Sequence, residues 1–172
     1  MAIDLKAKIR DVPDFPRPGV VFKDIMPLIG DREALREAVE RLAAWAEPRK
    51  PDLVLGAEAR GYITGGALAC RLGCGFVPAR KPGKLPWHTV GVKYALEYGF
   101  DQLEVHADAI KPGQRVIVHD DVLATGGTAK ATVELVEQLG GEVVGLPFLI
   151  ELTFLRGRAK LQGYDVFSLI EY

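Results

Sequence analysis

The chain has 172 residues, with 22 Lys and Arg against 23 Asp and Glu for a formal net charge of −1, and 48% of its residues are apolar. That balance excludes an intrinsically disordered chain, and without a cationic surplus it argues against a nucleic-acid binder. Glycine is abundant at 19 residues, above the ~7% usual in soluble proteins, and follows no collagen-like period.

The length suits a single domain over residues 1–172. The first ten residues mix both charges without an apolar core, so a secretory leader is not expected. The best apolar run, Val143 to Ile150, is far short of the ~20 residues a membrane span needs. A cytoplasmic protein with no membrane partner is the expectation. Cys70 and Cys74 have no second Cys/His pair at ligand spacing and read as two reduced, partly buried thiols.

In chain order, the first dozen residues read as a short amphipathic helix with Ile3, Leu5 and Ile9 available to pack. A Pro/Gly-rich loop follows over 12–30. Asp31 is a good N-cap for a helix over 32–46, where Leu35, Val39, Leu42 and Ala46 recur at steps of three and four. Pro48 and Pro51 end it. Residues 52–56 form a short buried strand, 63–72 a Gly/Ala-rich helix, and 75–79 a second strand. The basic stretch 80–91 is broken by Pro82 and Pro86 and reads as irregular. Residues 92–98 and 103–107 suggest a hairpin around a turn at 99–101. A clear strand over 115–119 leads into Asp120-Asp121 and Ala124-Thr-Gly-Gly-Thr128. A helix with Val133, Val136 and Leu139 inward comes next, closed by Gly140-Gly141. Strands over 143–150 and 165–170 finish the chain. This alternation predicts an α/β domain with a central, mainly parallel sheet flanked by helices, whose ligands bind at the carboxyl ends of the strands.

The loop after the 115–119 strand carries the chemistry. Gly126 and Gly127 lack β-carbons, so backbone N–H groups can converge on an anion at a helix N-terminus, and Thr125 and Thr128 add hydroxyl donors. No Gly-Lys-Ser/Thr follows, so this is not a triphosphate-binding P-loop; it suits a phosphate monoester. Asp120 and Asp121 can accept from sugar hydroxyls or hold a divalent cation through water. Arg60, Arg80, Lys81 and Lys84 lie in glycine- or proline-broken loops suited to a multiply charged pyrophosphate. Phe22, among Pro16, Pro18 and Gly19, suits stacking on a flat base. His119, at a strand end, reads as a structural residue.

The run Val116-Ile-Val-His-Asp-Asp-Val-Leu-Ala-Thr-Gly-Gly-Thr128 resembles the signature of type I phosphoribosyltransferases. Four further segments are similar to the adenine phosphoribosyltransferase family: 14–25, its purine-contacting loop; 56–62, its pyrophosphate loop; 80–86 with 96–99, its mobile catalytic loop; and 151–158, its C-terminal segment. The resemblance implies the type I fold, with a base-binding hood over 1–30 and a mobile loop and hairpin over 80–107. It implies purine salvage, in which adenine and 5-phosphoribosyl 1-pyrophosphate give AMP and pyrophosphate. Glu97, Arg60 and Lys84 are its catalytic candidates. Val21, Phe22 and Lys23 would serve the base side and Tyr98 would bind substrate, with Arg60, Arg80, Lys81 and Lys84 on pyrophosphate. Asp120 and Asp121 would take the ribose, and Ala124, Thr125, Gly126, Gly127 and Thr128 the 5′-phosphate. Mg2+ would arrive with the donor, held through water by Asp120 and Asp121 rather than by direct protein ligands, and the enzyme would be a homodimer. The chain departs from the family at Trp87-His88, commonly glycine, at Met26, commonly Ser or Thr, and at Lys23, often Arg. Transfer to a 6-oxopurine, and a non-catalytic donor-sensing regulator, are the alternatives.

Overall fold

The structure, a computed structural model, describes residues 3–95 and 99–172. Strand β1 (Arg10–Pro13) pairs antiparallel with β2 (Val21–Asp24). A short helix α1 (Met26–Gly30) and a long α2 (Arg32–Ala46) lead to strand β3 (Leu53–Ala57), helix α3 (Gly61–Leu72) and strand β4 (Gly75–Ala79). Strands β5 (Thr89–Ala95) and β6 (Phe100–His106) form a second antiparallel pair. Strand β7 (Arg115–Leu123), helix α4 (Gly127–Gln138), strand β8 (Glu142–Glu151) and strand β9 (Val166–Glu171) complete the chain.

The central sheet runs β4-β3-β7-β8-β9 and is parallel throughout. Alternation along its inner strands sorts side chains to two faces. Val54 and Ile117 meet Leu42, Ala46, Leu68 and Ala69 of α2 and α3. Leu55, Val116 and Val118 meet Val133, Leu135 and Val136 of α4 with Leu103 and Val105 of β6. Each buried aliphatic side chain contributes about 1.5–3 kcal/mol, so packing on both faces holds the strand ends where they are. As the spacing predicts, Asp31 caps α2, its carboxylate accepting the backbone N–H groups of Glu33 and Ala34 at 3.0 and 3.1 Å. Cys70 and Cys74 are unpaired thiols, but only Cys74 is partly buried; Cys70 is exposed.

The N-terminus differs from expectation. In place of an amphipathic helix there is one 3-10 turn (Lys6–Lys8) and then β1, and the expected loop over 12–30 contains β2 and α1. The cause is cross-strand: Arg10 donates to Asp24 at 2.7 and 3.0 Å and Lys23 to Asp11 at 2.7 Å, pairings between residues far apart in the chain. Other boundaries move too, and β6 begins at Phe100, inside the turn expected over 99–101. Helix α3 begins at Gly61, β5 begins at Thr89, and β7 continues through Asp120 and Asp121, so both aspartates belong to the strand. Leu139 follows the last residue of α4 yet packs on the core as expected.

Candidate active site

At the carboxyl end of β7, Asp120 and Asp121 point to opposite sides of the strand by its pleat. The Asp121 backbone N–H donates to Asp120 Oδ1 at 2.8 Å. Gly61, opening α3, lies against the same carboxylate; a Cβ there would sit 2.7 Å from Asp120 Oδ1. Burial, and then the neighbouring Asp121 charge, hold the Asp120 carboxyl well above the usual carboxylate range, with Arg60 opposing. Asp121 is 5% exposed and accepts from Arg60 Nε at 2.6 Å. The Arg60 guanidinium lies 5.0 Å from the centre of the Phe22 ring, and Phe22 meets Phe15 edge to face at 5.2 Å. One cation thus bridges the aspartate pair and the aromatic of the N-terminal hairpin.

The loop from Ala124 turns at Gly126, whose φ of 79° is in the left-handed region. A Cβ on Gly126 would meet the Gly157 carbonyl oxygen at 2.4 Å, and one on Gly157 would meet the Ala124 carbonyl oxygen at 2.2 Å. The loop therefore rests backbone on backbone against the 151–158 segment. That segment is braced in turn: Arg158 donates from Nε to Glu151 Oε1 at 3.1 Å and from Nη1 to the Val166 carbonyl at 2.8 Å. Ser168 Oγ donates to Glu151 Oε2 at 2.5 Å. The Arg158 hydrogen bonds, then that of Ser168, hold the Glu151 carboxyl below its usual range. From β5, Tyr94 reaches the loop, its hydroxyl 3.4 Å from Thr128 Oγ1 and donating to Asp101 at 3.2 Å.

A cavity of about 590 Å3 joins these parts. Val21, Phe22 and Lys23 line one side, Arg60, Asp120 and Asp121 the floor, Ala124 and Thr128 the loop end, and Lys81 the rim. The Lys23 ammonium itself is engaged by Asp11 and lies 4.0 Å over the Tyr172 ring, which leaves its backbone as the part free to face a base. Gly126 and Gly127 are buried in the turn. Thr125 is exposed and lines an adjoining apolar cavity of about 800 Å3 between the hairpin and residues 152–155. Arg80 and Lys84 do not line the first cavity; both are ion-paired with Glu58. Lys81 bonds Asp101 through its ammonium and Glu58 through its backbone N–H. Glu97 and Tyr98 lie outside the described residues. Sequence reasoning missed Glu58, Tyr94, Asp101, Leu152 and Leu155 as cavity walls. Glu58 carried a signal as the acid of the 56–62 loop, whereas the others reach the site only through tertiary folding.

His119 is wholly buried. The Pro147 carbonyl, 2.8 Å from Nδ1, can only accept, so Nδ1 carries the proton and Nε2 accepts from the Thr64 hydroxyl at 2.7 Å. Both nitrogens are satisfied inside the sheet–α3 layer, as a structural histidine requires.

The phosphoribosyl transferase domain model matches residues 29–169. Adenine phosphoribosyltransferase of Thermotoga maritima is 57% identical over 170 residues, covering 99% of this chain and 98% of that protein, and the one from Symbiobacterium thermophilum is 58% identical over 99% and 100%. The chain belongs to the adenine phosphoribosyltransferase family. A crystal structure of the family's enzyme from Thermoanaerobacter pseudethanolicus superposes with a TM-score of 0.96 at 55% identity, covering 98% of both chains. The Saccharomyces cerevisiae enzyme, complexed with adenine and an imino-altritol bisphosphate, gives 0.92 at 39% identity over 96% of each. The expected fold, a parallel sheet with helices on both faces, is the fold these family members share.

Proposed function

We propose that the chain performs purine salvage, with adenine attacking C1′ of 5-phosphoribosyl 1-pyrophosphate to give AMP and pyrophosphate. The observation that carries this reading is the convergence of the Asp120–Asp121 pair, the two ends of the loop at Ala124 and Thr128, and Phe22 on one cavity. Relatives named adenine phosphoribosyltransferase at 57–58% identity favour adenine over a 6-oxopurine, and favour an enzyme over a donor-sensing regulator.

Each residue then has a task. Backbone N–H groups of Ala124 to Thr128, with the Thr125 and Thr128 hydroxyls, grip the 5′-phosphate at the N-terminus of α4 and so fix C1′ relative to the base. Asp120 and Asp121 accept from the ribose hydroxyls and keep negative charge near the ring, where positive charge builds as the C1′–O bond breaks. The cationic ribose draws the Asp120 carboxyl toward its ionised form. Arg60, Arg80, Lys81 and Lys84 offset charge on the departing pyrophosphate. The base stacks on Phe22 while the main chain at Val21 and Lys23 reads its edge. Glu97, beside Tyr98, accepts the proton at the adenine imidazole edge. Closure of the irregular 80–88 stretch over the site, with β5 kept in its pairing to β6, excludes the water that would hydrolyse the donor.

The carboxylates fit Mg2+. Hard oxygen ligands suit it, and it keeps several waters and phosphate oxygens rather than a full protein cage. Asp120 and Asp121 would hold it through water, and it would there neutralise charge on the leaving pyrophosphate. The reading includes a cytoplasmic homodimer, and light scattering at twice the chain mass tests it. Among the described residues no helix is long and apolar enough to cross a membrane. Incubating the protein with Mg2+, donor and adenine, hypoxanthine, guanine or xanthine in turn tests the activity. AMP with adenine alone is expected. Product only with a 6-oxopurine, or none with any base, would overturn it.

A further inference from the structure

Glu58 is the acidic residue of the 56–62 loop and follows the last residue of β3. Its carboxylate accepts the Lys81 backbone N–H. It also lies 3.5 Å from Lys84 Nζ and 3.7 Å from Arg80 Nε. The three side chains differ in freedom: Glu58 is 10% exposed, Arg80 35% and Lys84 50%. Arg80 Nε is buried and has no hydrogen-bond partner among the described residues. An anion fixed at the end of a core strand therefore faces two cations at the rim. It is close enough to neutralise them, and its 3.7 Å approach to Arg80 is too long for a hydrogen bond.

We infer that Glu58 is an internal stand-in for pyrophosphate: its carboxylate occupies Arg80 and Lys84 while the site is empty and gives them up when the donor binds. The inference rests on the assignment of Arg80 and Lys84 to pyrophosphate made above. A dianionic or trianionic phosphate group makes shorter, charge-assisted hydrogen bonds to both cations than one carboxylate at 3.5–3.7 Å can. The Lys81 N–H bond to Glu58 keeps the loop tethered throughout, so the exchange is a swing of side chains about an anchored backbone. Two consequences follow. Donor and pyrophosphate bind more weakly than the cations alone would allow, and pyrophosphate leaves faster because Glu58 recaptures Arg80 and Lys84. Glu58 is in this sense a positioning residue that sets affinity and release.

The test is Glu58→Gln, which removes the charge but keeps a carbonyl to accept the Lys81 N–H. Calorimetry with Mg2+ and inorganic pyrophosphate should show a Kd about three- to tenfold lower than wild type, the size expected when partly exposed ion pairs no longer compete. Turnover should fall as release slows. The tightening should vanish in Glu58→Gln/Lys84→Ala. A merely structural role would loosen the loop and weaken binding, so an unchanged or higher Kd in the folded variant overturns the inference; Glu58→Ala, with the same sign expected, replaces it if circular dichroism shows the glutamine chain unfolded. Lys84→Ala and Arg80→Ala alone separate the two layers. If neither weakens pyrophosphate, the assignment of these cations fails and the inference with it. If they weaken it and Glu58→Gln does not tighten it, the inference alone fails.

Discussion

Burial pushes the His119 imidazole down to about 4 from its ordinary 6.5, against the opposing pull of the Pro147 carbonyl and the Asp121 charge. The folded protein thus holds His119 neutral where the unfolded chain would protonate it. Stability from this residue is fully present above pH 6.5 and is lost as pH falls toward 4. With those two values the loss between pH 7 and pH 5 is about 2 kcal/mol, reaching about 3 kcal/mol at pH 4. Asp120 has the opposite sign: its raised carboxyl stabilises the fold at low pH and ceases to do so as pH rises through that raised value. Comparing wild type with His119→Asn removes the Asp120 contribution, because both chains carry it. Asparagine keeps an N–H for the Pro147 carbonyl and does not titrate. Urea unfolding, followed by circular dichroism at pH 7 and pH 5 without Mg2+ or donor and at one protein concentration, should show the wild-type advantage shrinking by about 2 kcal/mol. A gap that stays constant across this interval would refute a neutral, buried His119.

Other outcomes follow from the site. Gly157→Ala drives a methyl group into the Ala124 carbonyl; displacing the loop by about 1 Å should raise the KM for the donor or lower turnover by as much as about 100-fold, with adenine binding less affected. Steady-state kinetics in each substrate will show the asymmetry. Glu97→Ala should cut turnover by about 100-fold or more while the donor Kd stays near wild type; wild-type turnover removes Glu97 from the mechanism. Chelating Mg2+ should abolish AMP formation and its return should restore it, a requirement checked by titrating EDTA and then excess metal into the assay.

Much of this molecule is legible along the chain because its signals are local. The helical spacing from Leu35 to Ala46, the apolar runs of β3, β7 and β8, and the step from Asp120-Asp121 into a glycine turn all lie within short windows. What escaped reading is carried by contacts between distant segments. The β1–β2 hairpin is held by Arg10 with Asp24 and Asp11 with Lys23, and neither half shows a strand pattern alone. Tyr94 and Asp101 enter the site only because β5 and β6 pack over α4. The 151–158 segment is recognisable by resemblance, but its physical work is the Gly157 approach to the phosphate loop, which no periodicity encodes.

That approach ties the phosphate-binding turn to a segment far along the chain. The Ala124–Gly126 turn lacks its rear wall until residue 157 has docked, and Arg158 braces that wall through the Val166 carbonyl of the final strand. On the ribosome, the whole phosphate-binding motif emerges some thirty residues before its support does. A change that shifts residues 157–158 would therefore disturb the phosphate-binding turn from a segment some thirty residues away, without touching the motif itself.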